Sequence, residues 1–135
     1  MTLLRLIDRL DEAALIASES VRLSRFTGSR EQLAGSRIRR AQVLQYQGKL
    51  DEAYSELSHC VQEAETHEWV DLATLARENR GKVLFDQGNL DAALVDFTAA
   101  VFLREKSGAS VDELESSLLA VAVIEKFIAA RPLTR

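Results

Sequence analysis

The chain has 135 residues, of which 47% are apolar and 28% charged, with a formal net charge of −4. That is enough chain to bury a core without disulfide or metal, and basic and acidic residues are interleaved, without the concentrated positive footprint that nucleic acid requires. The longest apolar run, Leu118 to Ile124, is too short to span a bilayer, and charges at Arg5, Asp8 and Arg9 fall too early for the apolar stretch of a signal peptide, so a cytoplasmic protein with no membrane or nucleic-acid partner is expected.

In chain order, Leu4, Leu10 and Ala13 open a partial unit over residues 1–28, with Asp8 where later units carry glycine. Ser29-Arg-Glu-Gln32 reads as a capping box that starts a helix after Gly28, predicted from Glu31 to Tyr46 and closed at Gly48. The next helix begins at Leu50, has Asp51 in its first turn where the dipole favours negative charge, and runs to about Glu65. The same order follows again: Leu72 to Phe85, the turn at Gly88, then Leu90 to about Lys106. Ser110-Val-Asp-Glu113 reads as a second capping box opening a last helix to residue 130. Apolar and small residues recur at helical spacing, and no segment alternates with period two. The expected fold class is all-α, with five or more antiparallel helices.

Shifted by forty residues, the chain matches itself without gaps. Arg37, Arg40, Val43, Leu44, Gln47, Gly48, Leu50, Asp51, Ala53, Val61 and Glu65 meet the same residue types at Arg77, Arg80, Val83, Leu84, Gln87, Gly88, Leu90, Asp91, Ala93, Val101 and Glu105. Leu10-Asp11-Glu12-Ala13 falls likewise on Leu50-Asp51-Glu52-Ala53. This divides the chain into a partial unit 1–28, units 29–68 and 69–108, and a C-terminal helix over 110–130. Two helices joined by a tight turn approach closely only where side chains are small, which assigns Ala53, Ala93, Ala41 and Gly81 to the crossings.

The run Gly81, Leu84, Gly88, Leu90, Ala93, Phe97, Ala100 resembles a tetratricopeptide repeat, whose signature is small, bulky, Gly, bulky, Ala, aromatic, Ala at these spacings. Ala41, Leu44, Gly48, Leu50, Ala53, Leu57 and Cys60 follow it more loosely. The resemblance covers roughly residues 1–106 and is best from 37 to 106; the forty-residue period exceeds the family's usual thirty-four and is similar to that of kinesin light chains and spindle-orienting adaptors. It implies a right-handed α-solenoid that works by holding a protein or peptide on its concave face. The first helices of two neighbouring units line that face, which assigns Arg39, Gln42, Tyr46, Asn79, Lys82 and Phe85 to the groove. Ile38 and Glu78 stand where the family's clamp for carboxy-terminal peptides would carry lysine.

Little else points to chemistry. There is no P-loop, HExxH, dinucleotide fingerprint or nucleophile elbow, and His59 and Cys60 are adjacent on a helix and so diverge. No enzyme activity, cofactor or metal is expected. Cys60, near Leu57 and Val61, reads as a buried small hydrophobe, Arg37, Arg39 and Arg40 as a solvated helix face, and Trp69 as a staple under a loop. The ends are unusually apolar. Leu3, Leu4, Leu6 and Ile7 begin a half-unit, and the last helix is apolar on several sides. Val123, Ile124, Phe127 and Ile128 are therefore assigned to self-association, with a homodimer as the expected state unless further repeats cover them. Two readings stand open: a partner-binding adaptor, and a self-associating structural or regulatory subunit.

Overall fold

The computed structural model describes residues 3–132, without the side chains of Leu3, Leu4, Arg5 and Thr27, so the expectation placed on Leu3 and Leu4 lies outside the described residues. Six α-helices follow one another: α1 Leu3–Thr27, α2 Arg30–Tyr46, α3 Leu50–Thr66, α4 Val70–Asp86, α5 Leu90–Ser107 and α6 Val111–Ala130. No strand occurs among the described residues. Each helix packs on the next, and α2 also touches α4.

Helices α2 to α5 stop at left-handed residues. Gly48 and Gly88 both take φ 80, a region without penalty only for glycine. The Gly48 N–H donates to the Gln45 carbonyl at 2.9 Å and the Lys49 N–H to the Leu44 carbonyl at 2.8 Å, which satisfies two orphan carbonyls of α2. Gly88 and Asn89 repeat this on α4 at 3.0 and 2.8 Å. Between units the same turn is made at Glu68, with φ 57, and at Gly108, with φ 75. At the start of α2 the predicted box is complete: the Gln32 N–H donates to Ser29 Oγ and the Ser29 N–H to Gln32 Oε1. At α6 only half of it forms. The Glu113 N–H donates to Ser110 Oγ, but the Glu113 carboxylate lies 3.1 Å from Arg104 Nη1 instead.

One boundary differs from expectation. The first unit does not begin with the end of a first helix and a turn; α1 continues unbroken from Leu3 through Asp8 to Thr27. Asp8 lacks the conformational freedom of the glycines at 48 and 88, so nothing ends the helix there.

Two apolar clusters form the core. Ile38, Ala41, Ala53, Leu57, Cys60, Val61, Ala76 and Val83 join α2, α3 and α4, and Leu84, Ala93, Phe97 and Ile124 join α4, α5 and α6. The crossings are small on one side and large on the other. Ala41 and Leu57 belong to the first cluster; forty residues later Gly81 meets Phe97, and a Cβ on Gly81 would stand 2.6 Å from the ring. Loss of a methyl on the first helix accompanies the larger side chain on the second.

The repetition also holds in charge. Arg37 Nε and Arg40 Nη2 donate to Glu56 Oε1 at 2.8 and 2.7 Å. Arg77 Nη1 and Arg80 Nη2 donate to Asp96 Oδ1 at 3.0 and 2.7 Å, and Arg80 Nε to Asp96 Oδ2 at 2.7 Å. In each unit two arginines of the first helix thus close on one acid of the second. Arg37 and Arg40 are not a solvated face, as their charge alone suggested; only Arg39 is exposed. A further link spans neighbouring units, with Gln47 Nε2 donating to Asp11 at 3.2 Å and Gln87 Nε2 to Asp51 at 3.0 Å.

The Gly81–Phe97 fit makes a reciprocal prediction. Gly81→Ala alone should cost about 1–3 kcal/mol by overpacking, and Phe97→Leu added to it should recover part of that loss by recreating the Ala41–Leu57 combination. Urea unfolding of the native chain and the two variants measures both steps; a double variant no more stable than Gly81→Ala would show that the crossing is not the constraint.

Candidate partner-binding groove

Helices α2, α4 and α6 contribute to one continuous face, and a cavity of about 390 Å³ lies along it. Gln45 of α2, Lys82, Phe85 and Asp86 of α4 and Ser116, Leu119 and Val123 of α6 line it, with Phe97 and Ile124 beneath. Gln45 Nε2 donates to Asp86 Oδ2 at 3.0 Å, tying the C-terminal ends of α2 and α4 together. Phe127 meets Phe85 edge to face, with ring centroids 5.2 Å apart and planes at 84°, a favourable aromatic arrangement. The interior is therefore aliphatic and aromatic, and the rim carries one cation, Lys82, beside the Asp86 carboxylate.

Of the six residues assigned to the groove, Lys82 and Phe85 line this cavity. Tyr46 is 71% exposed on the same helix as Gln45, and Gln42 is half-buried. Arg39 borders a different and wider depression of about 1280 Å³, between α1, α2 and the start of α4, and its Nη2 donates to Ser36 Oγ at 3.1 Å. Asn79 is not available to a partner. It is 3% exposed, and its Nδ2 donates to the Leu75 carbonyl of its own helix at 2.8 Å.

The residues assigned to self-association divide by helical phase. Ile124 is 3% exposed and belongs to the second core cluster, with Ala120, Val121 and Ile128 packed around it. One face of α6 thus takes Ser117, Val121, Ile124 and Ile128 onto the preceding helices, which removes Ile124 from any surface role. Val123 and Phe127, at 39% and 52% exposure, turn with Leu119 towards the groove. The two predicted surfaces consequently meet in one place, where Lys82 and Phe85 face Val123 and Phe127. Leu119 escaped notice, although Leu119, Val123 and Phe127 at i, i+4 and i+8 form a single stripe.

The remaining polar candidates are dispersed. His59 is exposed, with Nε2 3.8 Å from Glu63 Oε2, whereas the neighbouring Cys60 is buried. His67 stacks on Trp69 with centroids 4.6 Å apart, across the turn before α4, so the tryptophan covers that connection. Among the described residues no three His, Cys, Asp or Glu side chains are grouped to hold a metal ion, and no helix is long and apolar enough to cross a membrane.

No protein-family model matches the chain, and no curated protein or solved structure is significantly similar to it. The groove has an apolar floor of Phe85, Phe97, Leu119, Val123 and Ile124, with Gln45, Lys82, Asp86 and Ser116 as its polar lining.

Burial pushes the Cys60 thiol up to about 12, so the thiolate is strongly disfavoured in the folded chain. Alkylation by iodoacetamide at pH 8 should be slow in the native protein and become rapid in denaturant. Because the folded value is raised, the stability associated with the neutral thiol is complete below its ordinary value near 9 and is lost as pH rises towards 12. Rapid native alkylation, read by mass spectrometry, would place Cys60 at the surface.

Proposed function

We propose that the chain is a protein-interaction module of the tetratricopeptide kind, a right-handed α-solenoid of long period, which binds a peptide or protein segment along the face of α2, α4 and α6. The observation that carries this reading is the apolar cavity between α4 and α6, floored by Phe85 and Phe97 and walled by Leu119 and Val123. Such a groove suits a short helix or an extended peptide presenting one or two large apolar side chains. Lys82 forms no ion pair among the described residues and would receive an acidic group of the partner. Tyr46, exposed beyond Gln45, extends the contact towards α2. In this reading the protein catalyses nothing and needs no cofactor, and a lone thiol accords with a reducing, cytoplasmic setting.

A peptide-display selection against the whole chain tests the proposal. Enriched sequences should combine a leucine or aromatic residue with a nearby acid. Binding of a selected peptide should weaken at least tenfold in Val123→Glu, and by a smaller factor in Lys82→Glu. Peptides that bind Val123→Glu as well as the native chain would move the site away from this groove.

A further inference from the structure

Within units 29–68 and 69–108 a first helix, α2 or α4, packs on its own second helix, α3 or α5, and the second helix then packs on the first helix of the next unit. Helix α1 holds the place of a second helix. Leu10, Ala13 and Val21 stand forty residues before Leu50, Ala53 and Val61, and α1 packs on α2 as α3 packs on α4. Helix α6 holds the place of a first helix, beginning at Val111-Asp112 as α4 begins at Val70-Asp71. In that register, forty-one residues apart, the buried Ser117 and Ile124 of α6 occupy the positions of the buried Ala76 and Val83 of α4. Each of these helices therefore keeps one side exposed in the structure. On α6 it is the side that would take a second helix; on α1 it is the side that would take a first.

The residues on those two sides have changed together. In the interior, Arg77 and Arg80 of α4 grip Asp96 of α5, and Gly81 makes the crossing. The corresponding residues on α6 are Leu118, Val121 and Ala122, of which Val121 already packs at the edge of the second core cluster, and the residue on α1 corresponding to Glu56 and Asp96 is Ile16. The arginines are replaced by aliphatic side chains on one helix, and the acid is replaced by an aliphatic side chain on the other. Ile16 is 71% exposed, Leu118 46% and Val111 71%, and a small residue is retained at the crossing in Ala122. The charges around them also agree. Phe85 and Ala92 each pack against the second cluster, and their counterparts are Lys126 on α6 and Glu12 on α1, both exposed and of opposite charge. Glu125 falls near Arg9 in the same register. One charge, Glu115, takes the place of the buried Thr74.

From this complementarity we propose that copies of the chain associate head to tail, α6 of one copy packing on α1 of the next to complete a repeat with Leu118 against Ile16. The join is heterologous, so it builds head-to-tail chains, or a ring where the rotation closes, and not the closed two-fold dimer that exposed apolar ends first suggest. It leaves the groove residues Lys82, Phe85 and Val123 uncovered, while Leu119, which stands where Glu78 meets Arg104 of α5, lies at the border of the join.

Analytical ultracentrifugation of the full chain and two variants, Ile16→Glu and Leu118→Glu, tests this. The native chain should show concentration-dependent species extending beyond the dimer. Each variant alone should be monomeric, because each has lost one of the two mating sides. Mixed in equal amounts they should form a heterodimer and nothing larger, since Ile16→Glu keeps its α6 and Leu118→Glu keeps its α1. Ala122→Arg provides a second α6 variant should Leu118→Glu lose helical circular dichroism. A native chain monomeric over the whole concentration range overturns the proposal. So does a single variant that still associates like the native chain, or a mixture that stays monomeric.

Discussion

A carboxylate removed from water is costly unless charge and hydrogen bonds replace its hydration, and Asp96 has a side chain only 2% exposed between α4 and α5. Two guanidinium groups replace the lost water there, Arg80 in a two-pronged contact and Arg77 through one nitrogen. Arg77 also reaches back to Glu65, and Arg80 to Ser58, both on α3. The same group of charges therefore sets how α5 lies on α4 and how that pair lies on the preceding unit. Unlike an apolar contact, it is satisfied in only one register, and so it specifies the crossing that Gly81 and Phe97 then fill. Glu56 with Arg37 and Arg40 does the same for α2 and α3, in a more accessible setting.

This clamp separates what was legible in the sequence from what was not. The turns at Gly48 and Gly88, the small crossing residues and the forty-residue period follow from local conformational rules, and each stands where those rules put it. The arginines also recur visibly, but charge in a helix reads as a solvated face until its partner on another helix is known. Asn79 failed similarly: its position on α4 was legible, whereas its bond back to Leu75 depends on which way the packed helix faces. For α6 the reason is one residue. Helix α5 has 18 residues where α3 has 17, and a single added residue moves the register of α6 one place from the forty-residue repeat, about 100° of helical phase. That shift puts Ile124 in the core, at the place of Val83, and Leu119, Val123 and Phe127 at the groove.

The groove and the ends of the molecule then follow from one architecture. First helices stacked side by side expose a common face, and the apolar stripe of α6 gives that face a pocket beside Phe85. The outermost helices each keep a side that an interior unit would cover, and there the charged clamp is absent on both. The proposed partner binding and the proposed end-to-end association would use different sides of α6, with Val123 on one and Leu118 on the other, so the two would be compatible in the same molecule.

The buried acid and its two arginines are a matched set whose members cannot be removed singly. Urea unfolding of Asp96→Ala, beside the triple variant Arg77→Leu, Arg80→Val, Asp96→Ile, addresses it directly. The triple variant imports the aliphatic residues that α6 and α1 carry at the corresponding positions. Removing the acid alone should cost about 3–5 kcal/mol, because it leaves guanidinium groups without their partner, while the apolar triple should lose far less. An Asp96→Ala chain as stable as the native one would contradict the account.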